Sequence, residues 1–73
     1  MQPQDPRITF GKSVRKLRLS LGLSQEELAE KANLHRNYIG GIERGERNLG
    51  LINLVELARA LSVKPAKLLD GIQ

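Results

Sequence analysis

Two helical patterns lie almost end to end between Gln25 and Arg44, and the gap between them constrains the fold more than any other stretch. In the first, Leu28, Ala29 and Ala32 share an inner side while Glu26, Glu27 and Glu30 lie outside. It opens at about Gln25, where Ser24 followed three residues later by Glu27 has the form of a capping box. It ends at Asn33, a residue that tolerates positive φ better than most. The second pattern runs from about His35 to Arg44, turns Ile39 and Ile42 inward, and meets Gly45, which is placed to end it. Only about three residues separate the two patterns, too few to fold them back as an antiparallel hairpin of that size, so they must cross at a steep angle.

The flanks read as helices too. Phe10, Val14, Leu17 and Leu21 recur at spacings of four, three and four, one face of a helix that Gly22 can close. After a loop over 46–50, Leu51, Leu54, Leu57, Ala58 and Leu61 give a fourth helix with a strong apolar face. Pro65 cannot donate a backbone hydrogen bond but suits a first turn, so a short fifth helix is expected from Lys64 and Pro65 through Leu69, closed by Gly71. No period-two alternation is sustained. The expected architecture is therefore all-α, a compact bundle of five short helices, with a flexible segment 1–6 and one domain over 7–73. A chain of 73 residues without cysteine has no disulfide to hold it, so its 40% apolar residues must serve a single core near the lower size limit.

The crossing pair is a helix-turn-helix. That motif needs a small residue where the helices cross, a residue permitting positive φ in the turn, and apolar anchors on the second helix. Ala29, Asn33, and Leu34 with Ile39 and Ile42 meet these needs in order. The runs Leu23-Ser24-Gln25-Glu26-Glu27-Leu28-Ala29 and Tyr38-Ile39-Gly40-Gly41-Ile42-Glu43-Arg44-Gly45 resemble the phage Cro/repressor-type helix-turn-helix family, and the similarity extends from about Phe10 to Leu69. The resemblance implies a lambda-repressor-like five-helix domain that binds double-stranded DNA as a transcriptional regulator. Many members carry glycine where Asn33 stands; both residues accept the left-handed conformation. The stretch His35-Arg36-Asn37-Tyr38-Ile39 also resembles the short controller proteins of restriction-modification systems, which are dimeric regulators of similar length.

With Ile39 and Ile42 inward, the opposite side of the third helix is expected to present Arg36, Asn37, Gly40, Gly41 and Arg44 to a major groove. Arginine can pair bidentately with guanine and asparagine with adenine, so Arg36 and Asn37 are the foremost base-reading candidates, with Gly41 and Arg44 on the same face. Two adjacent glycines cost roughly 2 kcal/mol of helix propensity against alanine. Close approach to DNA would account for them, and so would tight packing against a neighbouring helix; both accounts are open at this point. The resemblance places Gln25 where family members grip a phosphate, and a helix N-terminus favours an anion even without the side chain. Arg47 and Asn48 are further phosphate candidates, ahead of Lys12, Arg15 and Lys16 on the first helix, and His35 is another. Tyr38 either packs its ring on the second helix or faces the DNA backbone. By the resemblance, Arg18 and Glu43 form a largely buried structural ion pair joining the first helix to the end of the third.

Twelve Lys and Arg against eight Asp and Glu leave a formal charge of +4, which suits a polyanionic partner, although an inert basic surface has the same composition. The start Met1-Gln2-Pro3-Gln4-Asp5-Pro6 lacks the order of a secretion signal, and no apolar run approaches the roughly 20 residues of a membrane span, so a cytoplasmic protein is expected. His35 is the only histidine and stands in no cluster that suggests a nucleophile, general base or metal. No catalysis, cofactor, metal or small-molecule substrate is expected. A single recognition helix reads too few base pairs to be selective, so the reading is a homodimer on a two-fold operator, with Leu68, Leu69 and Ile72 as its contact patch. The rival is a protein-interaction module, an antitoxin or adaptor on the same fold. The basic charge and the Arg36-Asn37 pair favour DNA.

Overall fold

The computed structural model describes residues 4–73. Helix α1 spans Pro6–Ser20. It starts ahead of the apolar pattern because Asp5 accepts the Arg7 amide at 2.9 Å and Pro6 fits the first turn. Of the segment 1–6 expected to be flexible, Asp5 and Pro6 thus form the cap and first residue of a helix, while residues 1–3 lie outside the described residues. Helix α2, Gln25–Ala32, carries both bonds of the capping box: the Glu27 amide to Ser24 Oγ at 3.0 Å and the Ser24 amide to Glu27 Oε1 at 2.9 Å. Asn33 ends it in the left-handed conformation with φ 58°. Helix α3, Arg36–Glu43, is one residue shorter at each end than expected, since His35 and Arg44 serve as its caps. His35 Nδ1 accepts the Asn37 amide at 3.0 Å. Helices α4, Leu51–Ala60, and α5, Pro65–Leu68, complete an all-helical fold with no strand among the described residues.

The core is drawn from every helix. Val14, Leu28, Ile39, Ile42, Leu57, Leu61 and Leu68 are fully buried, with Phe10, Ala29, Ala32 and Ala58 beside them. Two apolar positions depart from their helical pattern. Leu21 lies past the end of α1 and is half exposed, so the inner face of that helix finishes on Arg18 instead. Leu51 is 74% exposed, beside Ile52 at 77%, although it begins the apolar spacing of α4. The expected contact patch is corrected at the other end of the chain. Leu68 is a core residue with 0% exposure, so its side chain offers no free surface in this chain; Ile72 is half-buried against the core, and Leu69 is exposed.

Glycine is demanded where α1 meets the end of α3. A Cβ on Gly11 would strike the carbonyl oxygen of Ile42 and lie 2.8 Å from that of Glu43, and backbone cannot step aside as a side-chain tip can. Gly45 has φ +79°, and a Cβ there would lie 2.8 Å from Ile8 Cγ1, so both angle and space exclude larger residues. This close seam between α1 and α3 has no counterpart in the periodicity of either helix.

Candidate nucleic-acid interface

The turn at Asn33 leaves the N-terminus of α2 beside the outer face of α3, and an open groove runs between them. Ser24, Gln25 and Glu26 line it from α2 and its cap, Arg36, Asn37 and Arg44 from α3 and its cap. Beneath the groove, Glu43 turns inward and ties three segments together. Its carboxylate accepts from Arg18 Nε at 2.6 Å, Arg18 Nη2 at 2.9 Å and Gln25 Nε2 at 3.2 Å. The remaining Arg18 nitrogen, Nη1, donates to the Leu23 carbonyl at 2.8 Å. The two charged side chains are only 9% and 3% exposed, and no buried side-chain nitrogen or oxygen among the described residues lacks a partner. The hydrogen bonds from Arg18 to Glu43 hold the guanidinium pKa above its ordinary value, against the opposing effect of burial. The pair expected between helices one and three is therefore present in the structure. Its third member, Gln25, was expected to meet phosphate, and no local pattern links it to Glu43.

The candidate reading residues divide by exposure. Arg36, Asn37 and Arg44 are exposed on the groove side. Arg36 pairs with Glu26 across the turn, and Arg44 Nε donates to Glu46 at 3.0 Å, a bond that raises the Arg44 pKa and lowers that of Glu46. Both pairs are mostly in water, where such contacts contribute little to stability. Gly40 and Gly41, expected to be presented to solvent, are buried. Their cover is side chains: Arg44 and, from α2, Gln25 over Gly40, and Arg47 over Gly41. Arg44 Nη1 would lie 3.0 Å from a Cβ on Gly40, and Arg47 Nε 2.8 Å from one on Gly41. Gly41 therefore offers no open surface while Arg47 lies across it.

The candidate phosphate contacts are more dispersed. His35, Arg47 and Asn48 are exposed, and Tyr38 is half-buried with its ring packed partly on the core. The guanidinium carbon of Arg47 stands 5.4 Å from the centre of that ring and covers its outer side. Lys12, Arg15 and Lys16 are exposed on α1. Lys16 lines a separate hollow with Lys67 and Asp70, away from the groove. Among the described residues no group of three or more His, Cys, Asp or Glu side chains is gathered as a metal site, and no helix is long and apolar enough to cross a membrane.

This arrangement has relatives among known proteins. The family described as Helix-turn-helix matches residues 14–68. The chain is 51% identical over 65 residues to control protein C.BamHI of Bacillus amyloliquefaciens, covering 88% of this chain and 80% of that protein. The crystal structure of the restriction-modification controller protein C.AhdI from Aeromonas hydrophila superposes with a TM-score of 0.83 at 48% identity, over 85% of this chain and 94% of that one. The controller protein C.Esp1396I, described as a tetramer in complex with its natural 35 base-pair operator, superposes with a TM-score of 0.78 at 39% identity, over 85% of this chain and 82% of that one.

Proposed function

The chain belongs to the helix-turn-helix family, and from that premise we propose that it is a sequence-specific regulator of transcription, of the restriction-modification controller kind, that binds double-stranded operator DNA as a homodimer. The observation that carries this reading is the outer face of α3, where Arg36 and Asn37 stand exposed at the helix start beside the N-terminus of α2. A recognition helix enters the major groove with its N-terminal residues toward the base edges. Arg36 and Asn37 read bases, joined by Arg44 from the far end of the groove. Gly41 reads nothing directly, since Arg47 covers it. Arg36 must extend past Glu26 to reach a guanine, a small cost for a pair so exposed.

Phosphates are met along both edges. The free amides at the start of α2 attract one, with Gln25 held beside them through Glu43. His35 keeps its Nε2 outward while Nδ1 caps α3, and Arg47 with Asn48 follows on the far side. Tyr38 acts through Arg47. The role is non-catalytic and cytoplasmic.

The second copy sits on the first turn of α4. Leu51 and Ile52 are the most exposed large apolar residues among those described, and Leu51 shares a shallow hollow with Leu54, Phe10 and Leu69. Of the three contact residues expected from sequence, Leu69 alone remains in the patch. Related C.Esp1396I, a tetramer on a 35 base-pair operator, is consistent with several copies set along one duplex. Selection of bound duplexes from a random pool tests the whole reading. A two-fold symmetric consensus is expected; no enrichment would remove the DNA reading and leave the protein adaptor.

A further inference from the structure

We infer that Gly41 is a positioning residue, whose missing side chain makes the seat that holds Arg47 flat across α3 and against Tyr38. The inference rests on the DNA-binding reading of α3 for its purpose, and on packing alone for its geometry. Gly41 lies on the outer side of the helix, one turn after Tyr38, yet it is buried. All three atoms nearest to where its Cβ would stand belong to Arg47: Nε at 2.8 Å, Cγ at 3.1 Å and Cδ at 3.5 Å. The side chain therefore runs along the glycine rather than touching it with its tip. Beyond that seat the guanidinium reaches the face of Tyr38. The backbone leading to Arg47 is anchored to the same residue, because the Glu46 amide donates to the Gly41 carbonyl at 2.9 Å.

The fold alone has no use for this glycine. In an eight-residue helix, each interior glycine lowers helix formation about fivefold against alanine. No other helix approaches Gly41 as Ile42 and Glu43 approach Gly11, so close helix packing does not explain it. Gly40 differs in degree, since its nearest neighbour is the far end of Arg44, which can swing aside. What Gly41 secures is a cation fixed beside the reading face before DNA arrives, so that less side-chain freedom is lost on contact with a phosphate.

Gly41→Ala tests this in the whole chain. Thermal unfolding should show a midpoint unchanged or raised. Binding to the selected duplex and to a scrambled one should fall about threefold to tenfold alike, with the log–log salt slope reduced by up to about one unit. The chain has one tyrosine and no tryptophan, so its emission reports Tyr38 alone, and it should change in the same direction in Gly41→Ala and Arg47→Ala. In an Arg47→Ala background, Gly41→Ala should leave affinity where it was. Affinity within twofold of the parent with unchanged tyrosine emission would overturn the inference while leaving the DNA reading intact. So would a large loss of stability, because glycine would then be needed for packing. A parent chain that binds no duplex at any salt would refute the DNA reading instead, and the emission measurement would still decide the seat.

Discussion

Replacing Arg18 by methionine should unfold this protein more effectively than removing any core leucine's last carbon, and the size of the effect follows from what is left behind. The Glu43 carboxylate, 3% exposed, would keep one donor, Gln25 Nε2 at 3.2 Å, in place of three. A buried charge stripped of its ion partner costs about 3–5 kcal/mol. Glu43→Met is the mirror case, leaving the guanidinium with the Leu23 carbonyl alone. A chain of 73 residues has a total stability of about 4–11 kcal/mol, so either change consumes about a quarter of it or more. In a domain this small, a loss of 3 kcal/mol lowers the thermal midpoint by roughly 12–24 °C. The double variant removes both charges and fills the space with apolar atoms, so it should be more stable than either single variant. Urea unfolding of the four proteins, followed by helical circular dichroism, gives the coupling energy directly. Single losses that simply add, within about 0.5 kcal/mol, would show that the two charges do not depend on each other and would refute the reasoning.

Arg36→Ala and Asn37→Ala should each cost about 1–3 kcal/mol per half-site on the selected operator and relax its sequence preference, with less effect on scrambled DNA. Arg47→Ala should weaken both duplexes alike and flatten the salt dependence by about one unit. Titrations at several salt concentrations separate the two patterns, and their exchange would mean that α3 does not lie in the groove. Ile52→Lys, at a site 77% exposed, should leave the unfolding midpoint of the monomer nearly untouched but shift sedimentation toward the monomer and weaken operator binding; an unaltered self-association would move the second copy elsewhere. Acid should destabilise the fold through carboxylates whose pKa is depressed. Hydrogen bonds from the Arg7 side chain and amide hold Asp5 down to about 2, while the Ser24 amide and Arg44 lower Glu27 and Glu46 respectively. A depressed pKa contributes fully above the ordinary carboxylate range and is lost as pH falls through the folded value, so the thermal midpoint should drop between about pH 5 and 2. Asp5→Asn should flatten the lowest part of that drop, and a parent midpoint that is level or rising would contradict the sign.

The elements that could be read from sequence are those specified by neighbours along the chain. Ser24 and Glu27, Asn33, Gly45 and Pro65 mark helix ends through backbone geometry that acts over three or four residues, and the structure uses each of them there. Contacts between distant segments left no such mark. Leu68 and Leu51 look alike in a helical pattern, but one is fully buried in the core and the other is 74% exposed, a difference set by tertiary packing and not by spacing along the chain. Gly11 reads as a mild weakness in a helix, whereas it is the point where α1 meets the backbone of α3. The link between Arg18 and Glu43 came from family resemblance, since twenty-five positions separate them and nothing in the intervening pattern joins them. Similarly, Arg36 with Glu26 and Arg47 with Tyr38 became visible only once the turn had set the angle between α2 and α3.

The seam between α1 and α3 fastens only one end of the recognition helix. Gly11 packs on its last turn and Ile8 on Gly45, and Arg18 grips Glu43, while Arg36 and Asn37 at the opposite end are exposed. The helix is anchored at its end by close backbone packing and a buried ion pair and at its start by the turn from α2, while the side chains of Arg36 and Asn37 stand outward. On the proposed reading, the side chains that hold the helix and those that read bases are different residues, so the two can change independently. A lineage built on this frame can be readdressed to a new operator by exchanging residues 36 and 37, and the fold will scarcely register the change.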